Sequence, residues 1–335
     1  MRNSVGRSVA PSLLAALLAM ACVNAGSDLG FGPEETRVIG VDIYLDRDGS
    51  RTPTAVLDTL YRGARVALFV QGSVDTFKTA TTNTFGRALF TGVPFGQYRV
   101  AVVPESVGDS IEIQAITVGF VDTSEVRVTF PDDTTFATVR LGYPEFSVRE
   151  VRSLPQGRRV FIRGVILAGV QSFRDTTSHV TDSSLAIRLT RVALKGGLTG
   201  NNPGDSVSVL GVTASRAGQP TLDNANISRF ATRPEPIPLP VSTATAATAS
   251  NGSLDAALVR LTGATITDTA TVSPDFRVTV TDGTGSLTMI LDANIGFPRF
   301  QFIPGRTMQA VGVLVPNGVG GWVIKPRMLG DVLLN

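Results

Sequence analysis

The sequence predicts an all-β chain, a sandwich followed by two small barrels in tandem, and three observations carry that expectation. Downstream of the first thirty-odd residues no apolar stripe of helical period reaches ten residues. Short alternating runs of Val, Thr, Ile and Phe recur instead, cut by Gly, Pro, Asn and Asp. From Gly164 onward, four landmarks return after about a hundred residues, the period of an internal repeat. Cys22 is the only cysteine, so no disulfide can form within the chain and the domains rest on buried cores. The 335 residues suffice for two or three such domains.

Met1–Ser8 carries Arg2 and Arg7 and no acid, and a mostly apolar run follows over residues 9–21, interrupted by Pro11 and Ser12. This is the charged and short apolar pattern of an export signal over residues 1–21, too short to remain as a membrane span. Cys22 closes the run and resembles the lipid-accepting residue of bacterial lipoproteins, which becomes the mature N-terminus. Ala19 stands where such signals usually carry Leu, and Ala19-Met20-Ala21 equally suits ordinary signal peptidase. Lipidation at Cys22 is favoured because the sole cysteine falls beside the cut. The resemblance implies an outer-membrane or cell-surface lipoprotein, since Val23 rather than Asp follows the cysteine; a periplasmic or secreted protein is the alternative. Residues 22–35, with Gly and acids but no periodicity, read as a tether.

Charge divides the chain. Residues 22–145 hold 10 basic and 16 acidic side chains, whereas residues 146–335 hold 18 basic and 12 acidic ones. Only Lys78, Lys195 and Lys325 are lysines, so nearly all cations are arginines, which suit bidentate anion contacts. A GC-biased genome gives the same usage.

In residues 36–144 the alternation predicts strands at Arg37–Tyr44, Ala64–Val70, Phe77–Thr81, Ala88–Thr91, Tyr98–Val103, Ile111–Val118, Glu125–Phe130 and Phe136–Leu141. Asn83-Thr84-Phe85-Gly86-Arg87-Ala88-Leu89-Phe90 and the closing Val93-Pro94-Phe95-Gly96-Gln97-Tyr98-Arg99-Val100 make residues 36–104 similar to the Cna B-type or carboxypeptidase-regulatory-like sandwich of bacterial surface proteins. The resemblance implies an Ig/prealbumin-like fold in which Gly86 and Gly96 supply turns while Phe90 and Tyr98 fill the core. The isopeptide crosslink of some members is not expected, because the first strand has no lysine.

The repeat pairs Gly164 with Gly263, Thr181-Asp182 with Thr281-Asp282, Pro203-Gly204 with Pro304-Gly305, and Gly211 with Gly312. Each copy gives about five strands, in an order similar to the OB-fold accessory domains of extracellular bacterial nucleases and surface lipoproteins. Barrel one is placed at 145–232 and barrel two at 253–335. Arg233–Pro240, rich in proline, opens a linker over 233–252.

Catalytic machinery is not expected, and the chain reads as a non-enzyme. His179 is the only histidine and reads as a surface or edge residue in a polar loop. No nucleophile elbow or phosphate-binding loop occurs. No cofactor is expected except calcium, for which Asp42, Asp46 and Asp48 offer three carboxylates within seven residues; a solvated turn is the plainer reading. In barrel two, Arg299, Phe300, Trp322, Lys325 and Arg327 are candidates for a ligand face, with a plugged barrel core as the competing role for the phenylalanines. The expected function is a non-enzymatic binding or scaffold module at the cell envelope, joined to the membrane by a lipid anchor, with glycan or protein as ligand. The alternative is a nucleic-acid or polyanion binder working beside a secreted nuclease, and a purely structural spacer comes third.

Overall fold

A computed structural model describes residues 36–54, 58–108, 110–118, 121–123, 127–130, 135–194, 202–318 and 320–335, with the backbone alone for 121–123 and 127–130. The export signal, Cys22 and the tether lie outside the described residues.

Ten strands build the first domain: β1 (Thr36–Leu45), β2 (Thr59–Leu60), β3 (Arg65–Val70), β4 (Thr76–Thr81), β5 (Arg87–Pro94), β6 (Tyr98–Val102), β7 (Glu112–Val118), β8 (Val121–Thr123), β9 (Arg127–Phe130) and β10 (Phe136–Gly142). One sheet runs β2-β1-β10-β7-β8 with β5 also on β1, and the other runs β4-β3-β6-β9. Period two decides which side chains face inward. Ile39, Val41 and Ile43 of β1 meet Val66, Leu68 and Val100 of the second sheet in one core, with Phe90 and Tyr98. Each such side chain contributes about 1.5–3 kcal/mol when fully buried. The predicted strands and core aromatics of this domain are therefore present, in a sandwich, with residues 125–126 of the predicted Glu125–Phe130 strand lying outside the described residues.

Barrel one comprises β11 (Arg159–Ala168), β12 (Ser178–Thr181), β13 (Ala186–Leu189), β14 (Ala193–Leu194), β15 (Asp205–Arg216) and β16 (Gln219–Thr232). Its sheet closes because β13 pairs β16 in parallel while β11 pairs β12 and β15 antiparallel. Barrel two follows β17 (Leu239–Pro240) and comprises β18 (Leu258–Val272), β19 (Asp275–Thr281), β20 (Ser286–Leu291), β21 (Thr307–Pro316), β22 (Trp322–Lys325) and β23 (Val332–Leu334). It closes in the same way, β20 running parallel to β22 and β18 pairing with β21. Counting only the five barrel strands, both copies have the order 1-2-3-5-4-1 with strands three and five parallel, an OB-like closure.

The repeated landmarks have structural jobs. In each copy a short helix precedes the barrel, α1 (Val148–Val151) capped by Ser147 and α2 (Thr243–Thr248) capped by Ser242. The Asp of each Thr-Asp pair receives the helix amide: Val148 N–H donates to Asp182 at 2.6 Å and Thr243 N–H to Asp282 at 3.0 Å. Burial pushes the Asp282 carboxyl up, yet hydrogen bonds from Thr243 and Thr284 hold it well below the usual carboxylate range. Gly204 and Gly305, at φ 91° and 89°, adopt the left-handed turn that lets their amides reach Ile166 and Ile266 carbonyls at 2.9 and 2.8 Å.

The segment 233–252 is not an open spacer along its length. Leu239 and Pro240 pair with Val259 and Arg260 in parallel, and Ala246 of α2 is fully buried in the core of barrel two. Alanine and threonine, small enough for close approach, let this helix seal the barrel end, so a composition that reads as a linker becomes core.

Neither junction is loose. Phe161 and Leu210 of barrel one complete the sandwich core, and Ser208 donates to the Asp48 carbonyl at 2.5 Å. Between the barrels, Leu167, Ala168, Phe173 and Ala186 pack against Ala256, Leu258 and Val313.

Candidate functional site

Three of the sequence candidates in barrel two serve the junction between the barrels. Lys325 is 7% exposed and sits between Asp175 at 3.5 Å and Asp292 at 3.2 Å, with its ammonium 4.2 Å from the Phe173 ring centroid. Arg327 is 6% exposed, donates to both Asp331 oxygens at 3.0 Å, and reaches the Leu167 carbonyl of barrel one at 2.7 Å. Trp322 is half-buried and donates its indole N–H to Asp255 at 2.8 Å. These three side chains are therefore corrected from a ligand face to a clamp. Lys325 and Arg327 face barrel one directly, whereas Trp322 packs on the core of barrel two and acts through Asp255, which lies 3.9 Å from Arg152 of barrel one. Arg299 spans the Pro274 carbonyl and the Phe276 ring, while Phe300 is exposed and Phe302 is buried, so the two phenylalanines divide between surface and core.

His179 is likewise corrected from surface to core. It is fully buried, lies edge-on to Phe173 at 6.0 Å, and neither ring nitrogen has a hydrogen-bond partner. Burial, reinforced by nearby Arg188, pushes its pKa down to about 3.

The acidic loop is rearranged from the expected set. Asp42 leaves it and forms a bidentate pair with Arg87 at 2.5 and 2.6 Å on the outer sheet face. Asp58 takes its place, and ligand oxygens of Asp46, Asp48 and Asp58 lie within 4.8 Å of one another. Asp46 accepts the amides of Gly49 and Arg51 at 2.6 and 3.0 Å, and Asp58 those of Arg47 and Thr54 at 3.0 and 2.8 Å. These carboxylates brace the loop.

A cleft that sequence reasoning missed opens at the mouth of barrel one. The connection from β11 to β12, the residues after β13 and the β15–β16 hairpin enclose about 340 Å³ lined by Asp175, Thr176, Thr190, Arg191, Arg216 and Asp223, among others. Arg191 holds Asp223 through Nε at 2.7 Å, and Thr190 donates to the same carboxylate at 2.9 Å. Burial pushes Asp175 up, but Lys325 and the Thr177 hydroxyl and amide hold it below its ordinary value. Each acid thus has a cation beside it, Arg191 for Asp223 and, for Asp175, Lys325, which Asp292 shares. Arg216 is exposed and makes no ion pair among the described residues. Threonine and serine hydroxyls and Ala214 line the rest, and no aromatic ring does. The signal was present in the repeat, because aligning the copies places the β11–β12 connection and the β15–β16 hairpin where an OB-like barrel keeps its binding loops.

The strand-two and strand-three face of barrel one is closed. His179 and Arg188 are cross-strand partners on its outer side, and both are buried where barrel two packs. The loop cleft remains open, as does a groove lined by Arg163, Thr181, Phe230 and Arg233.

No family model matches the chain, and no curated protein does. Among solved structures, fission yeast Pot1 with ssDNA is similar at 11% identity, covering 56% of this chain and 87% of that one, with a TM-score of 0.27. A murine DNA binding protein bound with ds DNA is similar at 8% identity over 52% and 97%, TM-score 0.28. Asparaginyl-tRNA synthetase from Pyrococcus horikoshii is similar at 16% identity over 24% of this chain and 20% of its own, TM-score 0.22. The OB-like assignment stands on the strand pairing described above.

Proposed function

We propose that this chain is an exported, lipid-anchored, non-enzymatic module that binds an anionic polymer in the cleft of barrel one. The observation that carries this reading is the charge balance of the cleft. Its two carboxylates lie beside Arg191 and Lys325, the latter shared with Asp292, while Arg216 and a rim of hydroxyls face solvent. A guanidinium with free N–H groups favours phosphate, sulfate or carboxylate groups. The lack of an aromatic platform in the cleft directs recognition to the backbone of the polymer rather than to stacked bases.

The test is a salt series of binding isotherms with a labelled single-stranded oligonucleotide, with neutral dextran as control. Arg216→Ala is expected to weaken binding and to reduce the slope of log K against log salt by about 0.7, the share of one phosphate contact. Equal binding of dextran, or a slope unchanged by the substitution, overturns the reading.

Anchoring through Cys22 is part of the same proposal, as is kinship of the sandwich to Cna B-type surface domains. Cys22→Ala is expected to release the protein from membranes or to block its processing, because acyl chains supply the membrane affinity. A wild-type N-terminus at Cys22 without lipid, read by mass spectrometry, counts against it.

One observation favours a second reading, a protein partner on the sandwich. Val38, Leu89 and Phe136 are 49%, 52% and 46% exposed on its outer sheet, and Leu89 and Phe136 both pair with Gly40. Together they form an apolar patch of the kind that marks interaction surfaces.

A further inference from the structure

A second polar cavity, distinct from the cleft of barrel one, lies where the sandwich meets barrel one. It encloses about 230 Å³, and its lining includes Arg51 and Arg140 from the sandwich and Arg163 from β11, with Asp46, Glu145 and Gln114. The walls are fixed by both domains. Arg163 donates to the Gly49 carbonyl at 2.9 Å, and a Cβ on Gly49 would lie 2.5 Å from the Phe161 ring, so the acidic loop fits closely over barrel one.

We propose that this crevice binds a small multivalent oxyanion, such as a phosphate, a phosphomonoester or a tricarboxylate. Three guanidiniums face one cavity, and each carries five N–H donors in a planar fork. Few of those donors are used. Arg140 has Gln114 at 3.4 Å and Asp46 at 3.7 Å, both long contacts, and Arg163 has Glu145 at 3.3 Å besides Gly49. Arg51 makes no ion pair among the described residues. The three guanidiniums line the cavity with Asp46 and Glu145, while Asp48 and Asp58 stand beside Asp46, so an anion is drawn by the unused N–H donors rather than by net charge. Guanidinium forks pair best with planar or tetrahedral oxyanions, bidentately. Since the cations come from two domains, a bound anion bridges them.

The test uses the full-length protein with inorganic phosphate and citrate in separate titrations, against sodium chloride of equal ionic strength and glucose. Saturable binding by calorimetry, with a rise in melting temperature that chloride does not reproduce, is the expected result. The tighter of the two probes identifies the tetrahedral or the carboxylate source. Arg51→Ala, on an exposed loop and outside every core, is expected to weaken binding about tenfold or more, and Arg140→Gln to do the same. If Arg140→Gln fails to fold, Arg51→Ala alone decides. Arg216→Ala, in the other cleft, is expected to leave this binding unchanged. Stabilisation matched by chloride, undiminished binding in Arg51→Ala, or loss in Arg216→Ala overturns the proposal.

Discussion

Arg327→Ala is expected to cost about 3–5 kcal/mol, because it strips the partner from Asp331 and leaves that carboxylate uncompensated in a buried site. The guanidinium satisfies both Asp331 oxygens, meets Glu235 at 3.1 Å and holds the Leu167 carbonyl of barrel one. Removing it therefore damages barrel two and its junction with barrel one at once. For a folding unit of this size the loss corresponds to a fall in melting temperature on the order of 10 °C. Adding Asp331→Ala to Arg327→Ala is expected to recover part of it, since the orphaned charge goes too. Thermal melts of wild type, both single variants and the double variant check this. A fall of only a degree or two in Arg327→Ala means that water reaches the pair.

The same clamp explains why the most basic-looking end of barrel two is a poor place for a ligand. Lys325 and Arg327 are spent on Asp175, Asp292, Asp331 and Glu235, and Trp322 on Asp255. A barrel that gives one face to its neighbour retains only its loops for binding. The charge near Arg216 then gains weight, because its acidic neighbours are already paired.

Much of the architecture was legible in the sequence because period-two burial writes itself into residue order. The alternation of Ile39, Val41 and Ile43 survives as a core face, and the Thr-Asp and Pro-Gly landmarks survive as a helix-receiving turn and a left-handed turn. What stayed illegible depends on which face of a strand meets another domain. Alternation places Lys325 and His179 on the outer side of a barrel, and nothing local says that a second barrel covers that side. Composition misled in Thr243–Thr248, where alanines that suggest a flexible spacer are core residues. The acidic loop was half legible. Asp46 and Asp48 are two residues apart in sequence, whereas Asp58 joins them through the amides of Arg47 and Thr54.

His179 is expected to set a steep acid limit on stability. Its ring is buried beside Phe173 with both nitrogens unpartnered, and burial with nearby Arg188 and Lys325 outweighs the attraction of Asp175. In the folded chain it stays neutral down to pH about 3, whereas in the unfolded chain it takes up a proton near pH 6.5. The unfolded state then binds more protons across that window, so this residue's contribution is complete above pH 6.5 and falls as acid is added. The slope is about 1.4 kcal/mol per pH unit, or about 3 kcal/mol lost by pH 4. Asp175, Asp182 and Asp282, held below the usual carboxylate range, also lose stability in acid, so the wild-type slope alone does not isolate the histidine. His179→Leu does. Leucine has a similar volume and no polar atoms, so the variant should equal or exceed wild-type stability at pH 7, where the histidine nitrogens are desolvated without return. Between pH 6.5 and pH 4 it should fall less steeply than wild type by the histidine's share. Urea midpoints of both proteins at four pH values give the comparison. Parallel curves would mean that water reaches the ring and that the junction between the barrels opens more readily than its packing suggests.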